Sequence, residues 1–85
     1  MTTSQFLSKR GYVLRMVENV EWLGRTTFSK SLVEVRSDLS PDLLEFTIAH
    51  ECGHIWLREK GLDTGGLQEE LAATHVAARL FGVSL

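Results

Sequence analysis

The chain has 85 residues, 44% hydrophobic and 24% charged, with a formal net charge of −2. That supports one modest core but not a catalytic domain plus a separate recognition domain, and it offers no basic surface, which argues against nucleic acid as a partner. The single cysteine, Cys52, can form no internal disulfide, residues 1–10 lack the apolar run of a signal peptide, and no apolar stretch reaches the about 18 residues that span a bilayer, so the expected setting is cytoplasmic and away from membranes.

Residues 3–10, closed by Gly11, predict one or two turns of helix. Residues 12–17 (Tyr-Val-Leu-Arg-Met-Val) are strand formers set between Gly11 and the polar Glu18 and Asn19, and predict a strand. Residues 25–28 and 32–36 flank the polar Ser29, Lys30 and Ser31, the pattern of a hairpin, with Gly24 marking the break before it. A three-stranded sheet is the coarse result. Ser40 followed by Pro41 is a helix start: serine caps a free N–H, and proline at the first helical position has none to waste. This helix is expected from residue 41 to about residue 60, with Gly61 at its left-handed end. Leu44, Ile48, Cys52 and Ile55 gather on one side of it, and Leu43, Thr47, His50, His54 and Leu57 on another, so both sides should be covered. A loop at residues 63–66 precedes a second long helix over residues 67–81, stopped by Gly82. The predicted fold class is α+β in a single domain over residues 1–85.

His50, Glu51 and His54 decide the functional reading. Two histidines at i and i+4 lie on one helical face, one turn apart, where they can share one zinc ion, with the glutamate beside them to handle protons. Cys52 points some 160–200° around the helix from both imidazoles and is expected in the core as an inert thiol. Gly53 leaves room for close approach of another backbone or of a substrate. Trp22 and Trp56 are assigned to packing.

A catalytic zinc usually takes three protein ligands and keeps a fourth position for water, so a third ligand must come from Glu69, Glu70 or His75 on the second long helix. His75 shares the polar face of Gln68 and Arg79 and should point to solvent; Glu69 lies on the flank. Glu70 falls among Leu67, Thr74, Ala77 and Phe81, where an unpaired carboxylate is costly unless a metal meets it, and it is the expected ligand. The competing role for Glu70 is a first-turn acid that complements the helix dipole.

Residues 46–57 (Phe-Thr-Ile-Ala-His-Glu-Cys-Gly-His-Ile-Trp-Leu), followed by Glu70-Leu71-Ala72-Ala73-Thr74 and Val76-Ala77-Ala78-Arg79-Leu80, resemble the ImmA/IrrE-type metallopeptidases and other small gluzincins. The resemblance covers roughly the second half of the chain. It implies a minimal zincin fold with a sheet edge strand along the cleft, and peptide or protein substrates, sometimes a repressor encoded nearby. Thr74 stands where that family carries an Asp or Asn that supports a motif histidine, and Ala72 stands where a second acid is common. The implied chemistry is zinc-dependent hydrolysis of a peptide bond, with His50, His54 and Glu70 holding Zn2+ and Glu51 acting as general base on the water. For a side chain to steady the oxyanion, Tyr12 is conceivable, whereas His75 points the wrong way. Two alternatives are a zinc-stabilised regulatory or interaction module without turnover, and a plain interaction domain without metal.

Overall fold

Among the described residues, three helices and three strands follow one another as α1 (Thr3–Lys9), β1 (Val13–Val17), β2 (Gly24–Thr27), β3 (Leu32–Arg36), α2 (Pro41–Glu59) and α3 (Gly66–Phe81), with a 3-10 turn, Phe28–Lys30, between β2 and β3. The structure is a computed structural model and describes residues 1–84. The α+β expectation holds, and the strands form one mixed sheet in the order β1-β3-β2. β3 is central, parallel to β1 and antiparallel to β2.

Alternation along β3 explains both faces of the sheet. Val33 and Val35 are fully buried toward the helices, whereas Glu34 faces the other way and is still only 3% exposed. The strand register sets Arg15 of β1 and Arg25 of β2 directly beside it. Arg15 donates to Glu34 at 2.5 Å and Arg25 at 2.9 Å, and the two guanidiniums hold this carboxyl below its ordinary value. One acid thus ties three strands together.

α2 begins as its sequence predicts, with the Ser40 hydroxyl accepting from the Leu43 N–H and Pro41 in the first turn. It is covered on more than one side. Cys52 and Ile55 join Phe6, Leu7, Val33 and Val35 in the core, against which Leu44, Ile48, Trp56 and Phe81 pack. Phe6 of α1 meets Phe81 of α3 edge to face, with centroids 5.6 Å apart. Burial pushes the Cys52 thiol up to about 12, so it stays protonated and inert, as its direction predicts. Trp22 is half-buried beneath Arg25, whose guanidinium carbon lies 4.6 Å from the ring.

Two glycines set the spacing of the layers. A Cβ on Gly53 would lie 2.4 Å from the Ala73 carbonyl oxygen, so only glycine lets α3 lie this close to α2. A Cβ on Gly24 would lie 2.7 Å from Thr47 Cγ2, which is how β2 comes down onto α2. Gly24 is therefore the first residue of β2 rather than a break before it, and Phe28, expected in the strand, lies in the 3-10 turn.

Candidate metal centre

One turn of α2 separates His50 from His54, and their rings meet nearly at right angles with centroids 4.8 Å apart. The two Nε2 atoms are 3.1 Å from each other. From α3 the Glu70 carboxylate reaches both: Oε1 lies 2.9 Å from His50 Nε2, and Oε2 lies 3.1 Å from His54 Nε2. Glu51 is also near, since one ligand atom from each of His50, Glu51 and His54 falls within a 4.8 Å set close enough to bind a metal ion. Tetrahedral ligands held at about 2.0–2.1 Å are about 3.3 Å apart, close to the sides of the triangle formed by the two imidazoles and Glu70.

The outer nitrogens decide what the inner ones can do. The Thr74 hydroxyl donates to the Glu70 carbonyl at 3.1 Å, which leaves its oxygen to accept from His50 Nδ1–H at 3.0 Å. His54 Nδ1–H donates to Glu69 Oε2 at 2.6 Å, and the other Glu69 oxygen accepts from the Gly65 N–H at 2.8 Å. With hydrogen on each Nδ1, a neutral ring presents a lone pair at Nε2. Two lone pairs and a carboxylate therefore converge on one point, an arrangement that repels itself unless a cation sits there. The donor set fits a divalent metal that accepts imidazole and carboxylate.

Each acid has its own electrostatic setting. Glu69 is held below its ordinary value first by the Gly65 N–H and then by His54. For Glu70 partial burial pushes upward, but its contacts with His50 and His54, which draw it down where those rings carry a proton on Nε2, outweigh it in the absence of a metal, and the carboxyl ends lower. Glu51 goes the other way: burial raises it, against a hydrogen bond from Thr26 and the nearby histidines.

The structure brings His50, Glu51, His54 and Glu70 together and corrects several premises. The Glu70 side chain is 57% exposed, not buried, because the first turn of α3 projects beyond the cover of its neighbours, with Leu67 itself 74% exposed. The more enclosed acid is Glu69, at 13% exposure, and it supports His54 from outside, a role the sequence reading missed. Its only advance signal was its place next to Glu70, about 100° around the helix. Thr74, in the position of a missing Asp or Asn, nevertheless partners His50. His75 is exposed, as its helical direction predicts. Tyr12 is not an oxyanion donor here: it packs on the core and lines a hollow of about 430 Å³ between α1 and β1, apart from the cavities that adjoin the histidines.

Two cavities flank the cluster. One, about 300 Å³, is walled by Leu23, Gly24, Phe46 and Thr47 beside His50, Glu51 and Glu70. The other, about 280 Å³, is bordered by Arg25, Thr26 and Phe28 beside Glu51, His54, Glu69 and Glu70. β2 runs along both and is an edge of the sheet. The Arg36 N–H bonds to the Leu23 carbonyl at 2.8 Å, so by alternation Leu23, Arg25 and Thr27 turn their main-chain groups to β3, while Gly24 and Thr26 turn theirs to the open edge. Family models, curated proteins and solved structures provide no match to this chain.

Proposed function

We propose that this chain is a minimal zinc-dependent peptidase of the ImmA/IrrE-like gluzincin kind, acting in the cytoplasm on a peptide or protein, possible substrates including a repressor encoded nearby. The observation that carries the reading is the convergence of His50 Nε2, His54 Nε2 and the Glu70 carboxylate, within 2.9–3.1 Å of one another, on the side where Glu51 also opens. Zinc is favoured over harder cations by its preference for imidazole, and when bound it supplies a Lewis acid and lowers the pKa of water toward neutrality. His50, His54 and Glu70 would hold it, while Glu69 and Thr74 fix the ring orientations.

The remaining steps belong to the chain. An extended peptide adds to the open edge of β2 through the free main-chain groups of Gly24 and Thr26, the mode of recognition that any unpaired strand edge offers. Glu51 takes a proton from the attacking water and returns it to the leaving amine, a role its place beside the two histidines supports. If the peptide runs antiparallel to β2, the residue after the cut falls at Leu23 and Phe46, and an apolar side chain there is preferred.

The absence of an oxyanion donor at Tyr12 favours one competing account, a zinc-stabilised regulatory or interaction module without turnover. Incubation of the zinc-loaded protein with a quenched fluorogenic peptide library separates the two. Cleavage by the native protein, together with its loss in Glu51→Gln at unchanged zinc content, is expected; zinc without any cleavage would leave the regulatory module.

A further inference from the structure

We infer that Thr26 is a positioning residue for the general base, an inference that rests on the peptidase reading. The Thr26 hydroxyl donates to Glu51 Oε1 at 2.8 Å. It is the only side-chain hydrogen bond made to Glu51 among the described residues, and no buried side-chain oxygen there is left without a partner or solvent, so the second oxygen opens on the cavities that Glu51 lines. Fixing one oxygen stops rotation of the carboxylate about its last bond and aims the other at the place where the attacking water must sit.

The neighbouring threonine cannot substitute. Thr47 lies one turn before Glu51 on α2, but its hydroxyl donates to its own helix, at the Leu43 carbonyl, 2.7 Å away. Thr26 instead comes from a different element, brought within reach because Gly24 lets β2 approach Thr47 Cγ2 and Glu51 Cγ so closely. The same residue presents its N–H and C=O to the open edge on which a peptide would pair. Thr26 thus ties the strand that receives the substrate to the carboxylate that moves the proton, a link that no residue on α2 could provide.

The test uses the zinc-loaded full chain and the most rapidly cleaved member of a quenched fluorogenic peptide library. Thr26→Val, which keeps the shape and removes the hydroxyl, is expected to lower kcat by about ten- to hundredfold, to leave KM within about twofold and to retain zinc. Thr26→Ser should restore most of kcat, since any hydroxyl at this point can donate. In a Glu51→Gln background Thr26→Val should cost nothing further, because a residue that acts through the base has no effect once the base is gone. Unchanged kcat in Thr26→Val, no rescue by serine, or a further loss in the Glu51→Gln background would each overturn the assignment. Thr26→Ala is measured alongside, and loss of zinc or of the folded state in both the valine and alanine variants would make the role structural and likewise overturn it. Absence of Glu51-dependent cleavage by the native protein would sink the peptidase reading and this inference with it, whereas cleavage untouched by Thr26→Val sinks the inference alone.

Discussion

Glu69 and Glu70 are adjacent in the chain and meet different atoms of the same cluster. Glu70 touches both inner nitrogens, so Glu70→Ala should abolish stoichiometric zinc at micromolar protein. Glu69 and Thr74 touch only outer nitrogens, and Glu69→Ala or Thr74→Ala should weaken zinc binding by about 10–100-fold without emptying the site. His75→Ala should have no effect, and competition with a chromogenic chelator ranks all four variants. Glu51, the proposed base, presents an opposite case, in which the burial of its carboxyl works against stability. Its carboxyl is raised by burial, so the folded chain binds more protons than the unfolded chain between the ordinary 4.5 and its elevated value, and stability of the metal-free protein falls as pH rises through that interval. Metal-free Glu51→Gln lacks this penalty. It should melt above the native chain at pH 7, with the gap closing as pH drops toward about 4.5; an equal gap at both ends would rule out charge burial as its cause.

Contacts between elements set the second group of expectations. Glu34 binds β1 and β2 to β3 through Arg15 and Arg25, and its pKa is depressed, so its contribution is present above 4.5 and is lost as pH falls through the lower folded value. Glu34→Gln should therefore flatten the acid side of a melting profile while leaving zinc binding intact. Gly53 controls the approach of α3. Adding a methyl group 2.4 Å from the Ala73 carbonyl oxygen should cost about 1–3 kcal/mol in urea unfolding and weaken zinc binding as well, because the displaced helix carries Glu70. Much of the element order was legible in the sequence: Ser40 with Pro41 starts α2, Gly82 ends α3, and the polar Ser29, Lys30 and Ser31 turn the chain between β2 and β3. Sheet order was not legible, since pairing of β1 with β3 joins residues about 19 apart and no local pattern encodes it. The two histidines and Glu51 were readable because helical periodicity alone fixes their directions. Of the partners of the outer nitrogens, the position of Thr74 was marked only by the resemblance and Glu69 not at all, because both depend on where α3 crosses α2, a matter of Gly53 against Ala73.

At the scale of the whole molecule, 85 residues bury a small core, and α3 is joined to the rest largely through α2 and the histidine cluster. A cation shared by His50, His54 and Glu70 would staple these helices together. At zinc concentrations about a hundred times Kd this linkage is worth about 2.7 kcal/mol, or roughly 10–20 °C in Tm for a domain of this size. Chelation should reverse the gain, and Glu70→Ala should show none. The fold would then depend on the same ion that the proposed chemistry requires. Zinc stoichiometry by native mass spectrometry tests this most directly, because it separates the two ways of choosing ligands from the acids around the histidines. The expected result is one zinc per chain in the native protein and in Glu51→Gln, and none in His50→Ala, His54→Ala or Glu70→Ala at micromolar protein. Zinc retained by Glu70→Ala but lost from Glu51→Gln would contradict the account, as would a native chain that binds no zinc.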